Sequence, residues 1–210
     1  MDLNTLAQPL RDRLFDNGTK HTDVFSITES TSSVSLEFYS VKADSDSAIK
    51  NGAAFTAYTL VDGTGVLTPT SAFANGDKIE VIYQYYKYTD SQLLSYIKKS
   101  VQYITGLDSD TNILTVSGDT LTSDTTSTFT GGVQDLLISQ AQLLLMKDQF
   151  IFDAQSAVSF KDGELSVNKA TKTDAQERAL GMLEKEVKKM RDDYIVSHCV
   201  GKAIIDGLSG

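Results

Sequence analysis

The chain has 210 residues, 40% of them hydrophobic, so it can bury a sizeable core without disulfides or metals. Its net charge of −9 argues against a nucleic-acid binder, whose affinity comes from Lys and Arg neutralising phosphates. A single cysteine, Cys199, excludes an internal disulfide framework, and no stretch approaches the length of a membrane-spanning helix.

At the start, Leu3, Leu6, Leu10 and Leu14 recur at spacings of three and four and predict one apolar helical face, with Pro9 suited to a first turn and Asn17-Gly18 ending the helix. Met1 to Asn4 lacks the basic and apolar regions of a secretory leader, so none is expected. The pattern then changes to short β-runs at 24–27, 34–41, 55–60, 66–68 and 79–86. Polar and glycine-bearing breaks separate them, among them Asp44-Ser45-Asp46-Ser47, Asn51-Gly52, Asp62-Gly63-Thr64-Gly65 and Asn75-Gly76-Asp77. These runs predict a small antiparallel sheet or barrel-like subdomain. Its last strand largely alternates, with Ile79, Val81, Tyr83 and Tyr85 on one side and Glu80, Gln84 and the more hydrophobic Ile82 on the other.

That strand runs into Thr89-Asp90-Ser91-Gln92, a capping box that starts a helix with Leu93, Leu94, Ile97, Val101 and Ile104 on its inner stripe and a stop at Gly106. Residues 105–132 are rich in Ser, Thr, Asp and Gly, with a β-like island at 113–116, and read as a long loop or a hairpin. Residues 133–152 are apolar on more than one face and predict a helix buried nearly all round. A turn is expected at Asp162-Gly163, and a second Thr-Asp-x-Gln cap at 173–176 opens the last helix. Its expected inner stripe is Ala175, Ala179, Met182, Leu183, Val187, Met190 and Tyr194, and beyond His198 the chain is expected to relax into a glycine-punctuated tail.

Catalytic signatures are weak. His198 and Cys199 are sequence neighbours and point apart on a helix end, which disfavours a Cys-His nucleophile. With His21 they offer three soft ligands, too few for a structural zinc site unless a carboxylate joins them. Asp108-x-Asp110-x-Asn112 begins like a calcium loop and fails at Ile113, where the turn needs glycine. Gly63-x-Gly65 precedes a strand and reads as a turn rather than a phosphate cradle, and Asn17-Gly18-Thr19 is a sequon expected to stay unmodified. The Tyr83, Tyr85, Tyr86, Tyr88 group could stack sugars or bases, though packing between subdomains is the simpler use. No catalytic, cofactor or metal residue is therefore expected.

Three stretches carry a family resemblance: Gly65-Val66-Leu67-Thr68, then residues 72–83 ending Gly76-Asp77-Lys78-Ile79-Glu80-Val81-Ile82-Tyr83, then Tyr88-Thr89-Asp90-Ser91-Gln92-Leu93-Leu94. With residues 159–169, they resemble the head-to-tail connector (adaptor or neck) proteins of tailed bacteriophages. The resemblance covers most of residues 60–196. It implies a structural virion protein without enzymatic activity, assembled in the host cytoplasm. Such a protein forms a ring, often of twelve copies, that joins the portal to the tail or to the next neck protein, and genomic DNA passes through the channel without specific binding. The fold expected on this basis is α+β: a bundle of three to four helices with an inserted small antiparallel β-subdomain and an extended C-terminal tail. Its parts are a bundle at 1–22 and 89–200, with a flexible loop at 105–132, a β-subdomain at 23–88 and a tail at 201–210. Segments 105–132 and 200–210 become the expected assembly surfaces, through Ile113, Val116, Phe129, Val200, Ala203, Ile204, Ile205 and Leu208. The rival expectations are a tail- or fibre-associated β-module that binds carbohydrate through its tyrosines, and a small hydrolase using His198 or Cys199.

Overall fold

The computed structural model describes residues 1–105, 114–123, 131–158 and 169–208. Among them are four α-helices, one short 3-10 helix (Leu3–Leu6) and nine strands in three antiparallel sheets. With nine strands in three antiparallel sheets beside its helices, the described part of the chain is a strand-rich mixed protein, which overturns the expected helical bundle with a small β-insert. It divides into two compact units, Leu14–Gln92 and Met1–Arg13 with Leu93–Gly210.

The first unit holds seven strands: β1 (Thr19–Ser26), β2 (Val34–Ser35), β3 (Ser47–Lys50), β4 (Ala53–Phe55), β5 (Tyr58–Val61), β6 (Val66–Pro69) and β7 (Lys78–Tyr85). One sheet runs β1-β7-β3-β4 and the other β2-β6-β5. Side chains from both meet in one core of Ile27, Val34, Leu36, Val41, Ala48, Leu67, Phe73, Ile79, Val81 and Tyr83. Each fully buried aliphatic or aromatic side chain there stabilises the unit by about 1.5–3 kcal/mol before entropy is counted. The alternation expected of β7 holds, with Ile79, Val81 and Tyr83 buried.

Several strand bounds differ from expectation for identifiable reasons. The 55–60 run is split, because Thr56-Ala57 turns the chain from one sheet to the other between β4 and β5. β3 begins inside the polar break at 44–47, where pairing to the centre of β7 outweighs the turn propensity of Ser47. Asn75-Gly76-Asp77 is a turn in which only Gly76 needs a positive φ (91°), and it makes no hairpin, since β6 and β7 lie in different sheets. Its fixing is side-chain chemistry. Asp77 accepts from the Ala74 amide at 2.8 Å, from Asn51 Nδ2 at 2.8 Å and from Lys50 Nζ at 2.7 Å. The chain enters and leaves this unit side by side, with Thr19 opposite Tyr85 and the Asp16 carboxylate accepting from the amides of Lys87 and Tyr88.

The second unit contains α1 (Ala7–Arg13), α2 (Asp90–Thr105, whose first turn belongs to the β-unit), α3 (Gly131–Val158) and α4 (Lys169–Leu208). Leu3, Leu6 and Leu10 are buried as their spacing predicts, with Pro9 in the first turn of α1. The capping box forms in both directions: the Gln92 amide donates to Thr89 Oγ1 at 3.2 Å, and the Thr89 amide donates to Gln92 Oε1 at 2.9 Å. Leu93, Ile97, Val101 and Ile104 of α2 are buried, and residues Leu136 to Ala141 of α3 are buried without a break. Arg13 joins α1 to α3 through Ser139 and through Asp135 at 3.0 Å.

Within 105–132, where a long loop or a hairpin was expected, the structure has the hairpin: β8 (Leu114–Ser117), on the expected β-like island, pairs with β9 (Thr120–Ser123). Thr-rich segments read as polar from composition, yet Thr is β-branched and suits a pleated strand. The N-terminal segment lies along this hairpin, with the Leu3 amide donating to the Asp119 carbonyl at 2.9 Å and the Leu121 amide to the Met1 carbonyl at 2.8 Å. By contrast, the expected extended tail is helix, since α4 continues to Leu208. Gly201 and Gly207 cost a helix about 1 kcal/mol each, which lowers helicity without forbidding it. Because α4 starts at Lys169, the 173–176 segment lies inside the helix and is no N-cap.

Candidate functional site

The most unusual chemistry lies on β1. Register with β7 sets His21 opposite Tyr83 and Asp23 opposite Val81, so both polar residues take the face that β7 turns to the core. As a consequence Asp23 is buried while its apolar neighbour Val24 is 55% exposed. A carboxylate in such a place needs partners, because burying it unpaired costs far more than one hydrogen bond contributes. Asp23 has three. Its Oδ2 accepts from the Glu37 amide at 2.8 Å and from the Tyr83 hydroxyl at 3.0 Å, and its Oδ1 lies 3.0 Å from His21 Nε2.

Glu37, on the segment that follows β2, brings Oε2 to within 3.3 Å of the same His21 nitrogen. One ligand atom from each of His21, Asp23 and Glu37 therefore falls within 4.8 Å of the others. Around them stand aromatic rings. Phe38 meets the imidazole edge-on at 4.8 Å and stacks on Tyr85 at 4.1 Å, and Tyr83 lies 5.8 Å from the imidazole. Burial pushes the Tyr83 hydroxyl up to about 12, with its bond to Asp23 adding to the rise, so it remains a proton donor at neutral pH. The Phe38 amide donates to the same hydroxyl at 3.2 Å, which fixes the ring at both ends of its hydrogen-bonding capacity.

Beside this cluster is an open cleft of about 450 Å³ whose lining includes Phe38, Tyr39, Tyr85, Tyr86 and Lys87. It gathers two of the four tyrosines singled out by sequence. Tyr83 is instead a core residue.

The expected assembly residues are scattered by comparison. Val116 is half-buried in β8, while Ile113 and Phe129 lie outside the described residues. Val200, Ala203, Ile204, Ile205 and Leu208 fall on α4, where their side chains lie outside the described set, as do those of His198 and Cys199. The Asp108–Asn112 segment, Gly106, the Asp162-Gly163 turn and residues 159–168 of the resemblance also lie outside it. Of the inner stripe expected for α4, Val187 is buried and Leu183, Met190 and Tyr194 are half-buried. Ala175, Ala179 and Met182 are exposed, Met182 to 71%.

Sequence reasoning considered His21 only together with His198 and Cys199. A signal was nonetheless present: His21-x-Asp23 at period two puts an imidazole and a carboxylate on one strand face. Glu37 had no such signal, since it reaches the site through non-local packing. Compared with known proteins, the chain matches no family model and no curated protein sequence.

Proposed function

We propose that the protein is a structural, non-enzymatic assembly component: a head-to-tail adaptor of a tailed bacteriophage that forms a ring between portal and tail. One observation carries this reading, two large apolar side chains of α4, Met182 and Val196, that stay exposed among the described residues. The helix has 40 residues and a length of about 60 Å, whereas α3, the helix it packs against, has 28 and spans about 42 Å. Met182 and Val196 lie fourteen residues apart on the side of α4 opposite buried Val187, and their exposure fits burial against a second copy of this chain. A ring multiplies one such contact around its circumference, so a modest pairwise affinity suffices for a firm assembly. The acidic balance suits a channel wall past which DNA slides without sticking. Native mass spectrometry of the full chain, alone and mixed with a phage portal, tests the proposal. The expected result is a closed oligomer or a portal-bound ring, and a monomer that joins no such complex overturns it.

A second reading has one observation in its favour, the aromatic cleft of Phe38, Tyr39, Tyr85 and Tyr86. Flat rings at an open cleft can stack on sugar faces. Glycan binding lost on Tyr39→Ala or Tyr85→Ala would favour a carbohydrate-binding β-module over the adaptor.

A further inference from the structure

We infer that His21, Asp23 and Glu37 form a binding site for one first-row divalent transition-metal ion, of the zinc or manganese kind. The spacing of the donor atoms carries the argument. Neighbouring ligands on an ion with bonds of about 2.0–2.2 Å lie roughly 3.0–3.5 Å apart, depending on whether the angle is octahedral or tetrahedral. His21 Nε2 sits 3.0 Å from Asp23 Oδ1 and 3.3 Å from Glu37 Oε2, so two of the three edges already have that length.

The donors differ in mobility in the way such a site needs. Asp23 is fixed, because its Oδ2 is occupied by the Glu37 amide and the Tyr83 hydroxyl and only Oδ1 is turned to the imidazole. Hydrogen bonds of this kind orient a ligating carboxylate and are worth one to two orders of magnitude in metal affinity. Glu37 is the adjustable ligand, with a side chain 65% exposed, and it can close on an arriving ion without disturbing the core. One imidazole nitrogen and two carboxylate oxygens suit zinc, manganese or iron(II) better than calcium or magnesium, which prefer an all-oxygen shell. Three protein ligands leave water to complete the sphere on the side where Glu37 meets solvent. The rings of Phe38, Tyr83 and Tyr85 shield the other side. Binding displaces any proton on Nε2, which then resides on Nδ1 or in solvent, and requires no change of oxidation state.

The test is calorimetric titration of the full chain with zinc chloride, paired with cobalt(II) as a spectroscopic probe. Expected are one equivalent bound at this site, visible cobalt(II) d–d bands whose position and intensity differ from those of the hexaaqua ion, and reversal of both by a chelator. His21→Ala should remove this binding event, and Glu37→Gln should lower affinity at least tenfold. A chain carrying both His198→Ala and Cys199→Ser should retain it. The inference is overturned if zinc fails to saturate a site, if His21→Ala binds as the parent does, or if binding disappears with the 198–199 substitutions instead. Both His21 and Glu37 are partly solvent-exposed, so their variants are expected to fold, which near-ultraviolet circular dichroism of the tyrosines will verify. None of these outcomes bears on ring formation, which rests on α4.

Discussion

Tyr83 and Asp23 meet inside the β-unit, with the phenol donating to Asp23 Oδ2 at 3.0 Å and both residues buried. The contact decides which carboxylate oxygen is left for His21. It also explains how a strand can carry an acidic residue on its core face. β7 supplies a hydroxyl at the required depth, and the Glu37 amide supplies the second donor. A polar network satisfied in this way specifies one arrangement, whereas a half-satisfied one would destabilise the sheet.

Tyr83→Phe should therefore cost about 1–3 kcal/mol, because the Asp23 carboxylate loses a donor and the Phe38 amide loses its acceptor while ring packing is kept. The shift of the urea midpoint followed by circular dichroism measures it. A change under about 0.5 kcal/mol, the range of neutral surface substitutions, would mean that water replaces the hydroxyl at no cost. Zinc affinity should fall by about tenfold in the same variant, since Asp23 would be free to turn.

The Asp77 turn should give the β-unit an acid limb. Its carboxyl is held down at about 2, chiefly by the bond from Lys50, then by those from Asn51 and the Ala74 amide. In the unfolded chain the same group titrates near 3.9. The folded value is the lower one, so the stabilisation is complete above roughly pH 4 and is lost as pH falls from there through about 2. Asp77→Asn should flatten this limb in a pH series of thermal midpoints. An unchanged slope between pH 4 and 2 would assign the acid sensitivity to other carboxylates.

How much of this could be seen beforehand depended on whether the relevant signal was local. The capping box at Thr89–Gln92, the alternation of Ile79, Val81 and Tyr83, and the leucine face at 3, 6 and 10 are set by neighbours within four residues, and all three are found as expected. The β-like island at 113–116 pointed to the β8–β9 hairpin, whereas β3 was hidden, because Ser47 becomes a strand residue only when its partner β7 is present. A β-run was expected only at Val24 to Ile27, whereas β1 begins at Thr19, and β7 dictates its register and turns Val24 outward and Asp23 inward. The metal-type cluster was missed for the same reason, since Glu37 is sixteen positions from His21 and is brought there by tertiary packing alone. The bundle expectation failed because helical periodicity is conspicuous in sequence and short, half-polar strands are not.

Thr89→Ala should destabilise α2 by about 1 kcal/mol, because the Gln92 amide loses the Thr89 hydroxyl. Thr89→Gly should cost only a few tenths, glycine being a tolerated cap residue. Thermal melts of the two variants side by side separate a capping role from simple loss of side-chain packing. If both fall equally, the hydroxyl is not acting as a cap.

Met182→Glu addresses the assembly surface. The side chain is 71% exposed on α4, so a charge there removes little from the folded chain, and its melting temperature should stay close to that of the parent. If Met182 packs against a second copy, the same charge would be desolvated at every junction of the ring, and the penalty would recur with each subunit. The expected outcome is a fold that melts normally and an oligomer that dissociates at concentrations where the parent stays assembled, read by native mass spectrometry. Glu184, two residues on, separates this effect from charge in general, because it already pairs with Lys147 of α3. Glu184→Gln should leave the oligomer intact and at most weaken the contact between α3 and α4. Equal assembly of parent and Met182→Glu would move the subunit contact off this face of α4.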